Sequence, residues 1–413
     1  MLERTGKRLW VFRLTVLAAA IGVSLLMAEL VMRASDGYRS PQPNAGHAAD
    51  TPPFEFCPTR HHRLIPNVRH THQDPEFDYV WVNNSIGMRD RERSAQKDPK
   101  SFRIFFLGDS FVQGYGVPLE QTMVARLETS LNKPARQKRI EVLNGGVFGY
   151  SPFLEYLYLK EVMAAISPDC VIVGFFLGND VGDDYFYTRQ RRENPVDGSV
   201  RFEDKRWPWS YLNEKVGLTA NGEVPQTQVK GGHGAWNIRS RFEHLLLKSR
   251  LAAKLKQVLD QHRRDRQYGE ILKRRRDFAQ GNKNDIRINM GMVNYPVGDQ
   301  QERLAYWAIS KRYLGYIEGL CRTRGIPMVL VVIPDTNAFS ETEFHEPYHV
   351  LDQIGRDLSI PVIHLLPAFL EQQGEELFYE VDGHWNRKGH GLAAKILDQE
   401  FKELDLLPPE KGS

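Results

Sequence analysis

The sequence predicts an α/β protein with a parallel central sheet and helices on both of its faces. Three observations carry that expectation. Strand-like runs at 104–107, 142–149, 171–177 and 327–333 each end in glycine or at a proline, as buried strands do. Segments with helical apolar spacing stand between them, including 123–131 and the stretch after Pro152 with Leu154, Leu157, Tyr158 and Val162. The alternation runs through 101–184, breaks, and resumes from 299.

The chain has 413 residues, enough for two or three domain-sized units or one domain with an insertion. Its hydrophobic share of 41% can fill a core, and its net charge of +3 gives no reason to expect a nucleic-acid partner. Cys57, Cys170 and Cys321 are far apart, with no CxxC pair, so neither a zinc cage nor a disulfide framework is implied. Cys170 lies in an apolar strand and reads as core.

Taken in order, residues 1–13 carry Arg4, Lys7, Arg8 and Arg13 and precede an apolar run, Leu14 to Ala28. Extended to Met32 the run reaches membrane length, with Glu29 at its far end. Positive charge before it and a large domain after it predict a transmembrane anchor over 14–32 with a cytoplasmic N-terminus. A cleaved signal peptide is the competing reading, although Leu26-Met27-Ala28 is a poor cleavage site. Either way the bulk of the chain is exported, with a bacterial inner membrane and its periplasmic side as the expected location.

Residues 33–100 read as a linker and N-terminal extension. His61, His62, His70 and His72, with Asp74, invite a metal hypothesis, but no regular spacing converges them, and a solvated loop is expected. Residues 77–82 alternate like a strand, and Asn83 to Asp90 form a polar turn with no chemistry to assign. Residues 101–184 then read βαβαβ. The glycines after Ser110 match no phosphate-binding spacing. Residues 185–298 form an insertion that becomes helical and strongly basic, with Arg263, Arg264, Arg266 and Lys273 to Arg276. It is either a solvated helix face or a lid facing anionic substrate, lipid headgroups or a partner. The second half of the α/β domain, 299–413, carries a helix over 301–324, a strand over 327–333, a helix over 347–358, a short strand over 361–363 and a last helix over 387–404.

The chemistry gathers at strand ends. Gly108-Asp109-Ser110 follows the first strand, where open α/β sheets bind ligands. Ser110 suits a nucleophile there, although Asp and Ser are equally good helix caps. Acyl transfer also needs a base and a group to orient it. Asp382-Gly383-His384 supplies both types, with His384 taking the serine proton and Asp382 holding its other ring nitrogen.

Ser110, the glycines of 145–149, the Gly178-Asn179-Asp180 turn and the His384 block, in this order, resemble the SGNH (GDSL-type) hydrolase family. The resemblance covers about 101–184 and 299–407 and implies a flavodoxin-like three-layer SGNH fold. It also implies oxyanion donors: the Ser110 N–H, the Gly149 N–H and the Asn179 amide. The family's usual block is DxxH, whereas this chain has DxH followed by Trp385. That variant is similar to some bacterial polysaccharide O-acetylation proteins, and it implies a substrate-binding role for Trp385. Glu380, or a backbone carbonyl, stays open as the orienting group. His390 reads as packing, and Asp109 and Asp180 as supporting or capping residues. No metal or organic cofactor is needed. The expected activity is a serine esterase acting on O-acyl, above all O-acetyl, esters of an extracytoplasmic carbohydrate. The alternatives are a polysaccharide O-acetyltransferase with the same triad, a lipase or thioesterase, or a non-catalytic subunit of an envelope polysaccharide machinery.

Overall fold

The computed structural model describes residues 53–203, 300–334 and 346–409, apart from positions 75, 95, 133–135, 373–375 and 381, together with isolated positions between 10 and 27. The chain divides into two units, Met1–Ala45 with Gly217–Asp277, and Gly46–Val216 with Phe278–Ser413. The first lies almost wholly outside the described residues, as does most of the basic stretch expected within 185–298. The isolated positions between 10 and 27 are helical. Among the described residues no helix is long and apolar enough to cross a membrane, and most of 14–32 falls outside them.

In the second unit, β1 (Phe54–Cys57) and β2 (His61–Leu64) form one antiparallel hairpin, and β3 (Arg69–Gln73) and β4 (Asp78–Val82) form another. The α/β body follows with β5 (Ser101–Gly108), α1 (Ser110–Gln113), α2 (Met123–Leu131) and β6 (Arg139–Gly146). It continues through α3 (Pro152–Ile166), β7 (Cys170–Phe176) and α4 (Asp180–Gln190). A small antiparallel pair, β8 (Arg192–Glu193) and β9 (Val200–Arg201), comes next. Then come α5 (Gln300–Arg322), β10 (Met328–Ile333), α6 (Glu346–Leu358), β11 (Val362–His364), α7 (Leu366–Glu371) and α8 (Arg387–Glu403).

The five-stranded sheet has the order β11-β10-β7-β5-β6, and every pair in it is parallel. Numbered by appearance within the sheet this is 2-1-3-4-5 from the β6 edge, the flavodoxin-like order. The chain reverses direction across the sheet at β5, so the carboxyl ends of β5 and β7 border the switch-point crevice. Alternate strand residues build two cores. Phe105, Leu107, Val171 and Val173 meet Leu154 and Tyr158 of α3 and Leu314 and Ile317 of α5. Ile104, Phe106 and Ile172 meet Leu127 of α2 and Leu397 and Phe401 of α8. Burying each such side chain is worth roughly 1.5–3 kcal/mol, which is why the strands read as unbroken apolar runs.

The N-terminal extension differs from expectation. It is two hairpins, and Leu64, Phe77, Tyr79, Trp81 and Met88 join the core on the α3 side of the sheet. His61 and His62 lie on β2 and are buried, and His70 and His72 lie on β3, so the solvated-loop reading is corrected. Aromatic rings pack against them: Tyr79 against His72, Tyr187 against His61 and Tyr150 against His62. The helix after Asn179 also runs on to Gln190, past the expected boundary at 184.

Candidate active site

The position of Ser110, the expected nucleophile, follows from the end of β5. A Cβ at Gly108 would stand 2.2 Å from Cγ2 of Val112, so only glycine lets the chain turn this closely into α1. Asp109 caps α1, its Oδ1 accepting the Phe111 N–H at 2.8 Å. Ser110 is then the first helical residue and is 5% exposed. At the other end of this one-turn helix, the buried guanidinium of Arg89 donates to the carbonyls of Gln113 (2.8 Å), Gly114 and Val117. It stacks over Tyr79 and Trp81, with 4.9 and 4.8 Å to the ring centroids. Burial pulls Arg89 down to about 10, partly opposed by Tyr79 and Glu120, so it stays charged near neutrality.

His384, the expected base, arrives on a tight loop. Phe378 and Trp385 form an antiparallel bridge, and Tyr379 N–H donates to the His384 carbonyl at 2.8 Å. Gly383 at φ +84 turns the chain between Asp382 and His384. Asp382 folds back in an Asx turn, its Oδ1 accepting the His384 backbone N–H at 3.1 Å and lying 2.6 Å from His384 Nδ1. That geometry explains how the shortened DxH spacing still orients the ring. Glu380, the alternative, is exposed.

His384 Nε2 lies 2.7 Å from Ser110 Oγ. A carboxylate only accepts, so Nδ1 carries the proton toward Asp382 and Nε2 accepts from the serine hydroxyl. Burial opposes a charge on His384, but the Asp382 carboxylate, its hydrogen bond and Asp109 outweigh it and raise the imidazole above its ordinary 6.5. Asp382 is the mirror case: burial would raise it, yet His384's charge and hydrogen bonds hold it below the usual carboxylate value. The ring is enclosed by Phe111 and Tyr115, each 4.8 Å away between centroids, and by Phe148 at 6.3 Å.

Two further supports reach this loop from the N-terminal extension. Glu76 Oε2 accepts the Asp382 N–H at 2.7 Å, and His72 Nε2 lies 3.1 Å from the Tyr115 hydroxyl. Sequence reasoning missed Glu76, Tyr115 and Arg89. Only Arg89 had a visible signal, as a charge set in the Asn83–Asp90 turn next to an apolar strand.

Of the expected oxyanion donors, the Ser110 and Gly149 N–H groups have no hydrogen-bond acceptor among the described residues. The turn that carries Gly149 is tied to the end of β5 by Val147 N–H donating to the Gly108 carbonyl at 2.9 Å. Asn179 stands where β7 passes into α4, but its Nδ2 donates to Asp183 at 2.8 Å, and it makes no hydrogen bond to Ser110 or His384. One amide hydrogen is therefore already committed. Trp385 corrects the substrate-binding expectation. It is 0% exposed and packs against Phe111, Phe369 and His390, so it supports the loop from the core side. His390 is buried as well and accepts the Met123 N–H through Nδ1 at 3.3 Å, consistent with packing.

Beside these turns lies a group of buried acids: Asp109, Glu155, Asp180, Asp183 and Asp184. Asp180 accepts the Phe176 N–H and Asp184 the Phe153 N–H, which joins the ends of β7 and α3. Neither carboxyl oxygen of Glu155 has a hydrogen-bond partner. Burial pushes Asp109 up to about 6 and Asp184 up to about 7. Burial and mutual repulsion push Glu155, Asp180 and Asp183 well above the usual range.

No protein-family model and no curated protein matches the chain. Solved structures that resemble it include a lipase/acylhydrolase from Enterococcus faecalis, at 13% identity and a TM-score of 0.37, covering 75% of this chain and 99% of that one. A catalytic variant of an acetylxylan esterase from Geobacillus stearothermophilus matches at 13% identity and 0.37, over 74% and 96% of the two chains. A psychrotrophic esterase from a Pseudoalteromonas species matches at 11% and 0.36, over 73% and 97%.

Proposed function

We propose that the chain is a serine esterase of SGNH type that works through an acyl-enzyme. One observation carries this: the unbroken line from Ser110 Oγ to His384 Nε2 at 2.7 Å and from His384 Nδ1 to Asp382 at 2.6 Å. Ser110 Oγ attacks the ester carbonyl while His384 takes its proton. Asp382 stabilises the imidazolium that forms. The Ser110 and Gly149 N–H groups face the developing oxyanion, and the remaining Asn179 hydrogen completes the set once the substrate is bound. His384 then returns the proton to the leaving alkoxide, leaving Ser110 acylated. A second hydroxyl, deprotonated by His384, releases the acyl group.

The proposed substrate is an O-acyl, above all O-acetyl, ester on a carbohydrate outside the cytoplasm, with residues 14–32 as membrane anchor. The apolar run preceded by basic residues supports the location. The half-buried rings of Tyr115 and Phe148 beside His384 support a sugar, offering flat apolar surface to its C–H face. If a sugar hydroxyl takes the place of water in the second step, the same site is an O-acetyltransferase.

Ser110→Ala in the full chain is expected to abolish turnover of an aryl acetate while leaving the unfolding midpoint in place. Full activity in that variant would remove Ser110 from the reaction. Mass spectrometry after incubation with an acetylated glycan and an acceptor sugar separates free acetate, the hydrolytic product, from an acetylated acceptor.

A further inference from the structure

One contact of the N-terminal extension falls on the peptide unit that carries the Gly149 N–H. The Phe148 carbonyl and that N–H belong to a single planar amide. His62 Nε2 lies 2.8 Å from the Phe148 oxygen. A carbonyl only accepts, so His62 carries a proton on Nε2. Its Nδ1 lies 2.9 Å from Nδ1 of His61, which donates to it when His62 is neutral. Neutral is the form burial enforces: His62 is driven well below its ordinary 6.5 by burial first, then by the neighbouring His61 and Arg60, against the pull of the Phe148 bond. The ring is itself held. Tyr150 hydroxyl donates to the His62 carbonyl at 2.7 Å, and its ring stands 4.9 Å from the imidazole. Arg60 donates to the same hydroxyl at 3.3 Å.

We infer that His62 is a positioning residue for the oxyanion site: its bond to the Phe148 carbonyl fixes the plane of the Phe148–Gly149 peptide and strengthens Gly149 as a donor. The inference rests on the esterase function proposed above. A hydrogen bond accepted at one end of an amide polarises the donor at the other. A fixed plane also spares the site from reorganising as negative charge develops. An apolar ring of similar size would fill the same space, leave the Phe148 carbonyl without this partner and let the peptide tilt.

The test compares His62→Phe, His62→Gln and Ser110→Ala in the full chain with an aryl acetate. Glutamine returns an N–H near the Nε2 position, and phenylalanine keeps only the volume. Complete loss of an oxyanion donor costs about 10²–10³ in rate, so weakening one should lower kcat of His62→Phe roughly 10- to 100-fold. Its KM should stay within about twofold, since the interaction acts on the transition state. His62→Gln should recover most of kcat, which a purely structural role would not predict. Nitrogen-15 spectra of labelled histidine, with His62 identified by its loss in His62→Gln, should show Nε2 protonated in the parent protein. This readout stands even if His62→Phe fails to fold. A parent His62 protonated on Nδ1 alone, or a folded His62→Phe with parental kcat, overturns the inference. An inactive Ser110→Ala beside such a His62→Phe brings down this inference alone, whereas an active Ser110→Ala brings down the esterase function with it.

Discussion

At His384 opposing effects set the proton affinity of the base. Burial lowers it, Asp382 and Asp109 raise it, and the carboxylates win. A base must be neutral to act, so kcat/KM should rise with pH through a value above 6.5. Asp382→Asn removes the largest raising influence. Its activity limb should move to lower pH, and kcat should fall by at least about 100-fold, because the imidazole loses the partner that fixes its tautomer. A pH–rate profile checks both, and an unchanged limb would hand the orienting role to another group. Ser110 and His384 were legible because a nucleophile at a strand end and a histidine beside a carboxylate are local patterns. The DxH spacing was visible but not its solution, since an Asx turn at Gly383 depends on backbone angles that residue types only permit. Trp385 misled for the opposite reason. Adjacency to the base says nothing about which side of the loop a side chain takes, and the core between α1 and α7 took it.

Residues of the N-terminal extension act on the site as a set of supports: Arg89, after the second hairpin, on the end of α1, and Glu76, in that hairpin's turn, on the base loop. Among the described residues Arg89 forms no ion pair with a carboxylate; its charge is met by three carbonyls and two aromatic faces. Arg89→Met takes the shared donor from all three carbonyls, although Gln113 keeps Asn144 Nδ2 at 3.3 Å and Gly114 keeps the Val117 N–H at 3.4 Å. It should destabilise the fold by roughly 2–4 kcal/mol, read as a lower urea midpoint. A midpoint equal to the parent's would show that water can replace the guanidinium. The one signal in this segment, the charge of Arg89 beside an apolar strand, did not announce this role. The contacts join segments far apart in sequence, and periodicity reports only which face of an element is apolar. The strands and helices of the α/β body were legible for that same reason, since β5, β7 and β10 are buried on both faces and read as continuous apolar runs.

At the scale of the molecule, the buried acids link stability to pH. Glu155 binds its proton more tightly folded than unfolded. Its contribution is therefore full below the unfolded value, near 4.5, and is lost as pH rises toward the folded one. Glu155→Gln removes that loss, so the variant should gain on the parent steadily in urea titrations as pH rises from the unfolded value near 4.5 toward the raised folded one. The comparison must be made variant against parent, because His390, lowered to about 3 by burial, works in the other direction: it costs stability as pH falls below 6.5. A constant difference between the two proteins across that range would mean that Glu155 is ionised in the fold. Of these acids only Asp109 and Asp180 were read from sequence, as supporting or capping residues; the burial of Glu155, Asp183 and Asp184 was not visible there. Finally, the hydroxyl and the imidazole stand 274 positions apart along the chain. A ribosome therefore completes the five-stranded sheet and every described helix but α8 before His384 can reach Ser110. On the esterase function proposed above, a copy terminated before residue 384 lacks the base and carries a serine as unreactive as any in solution.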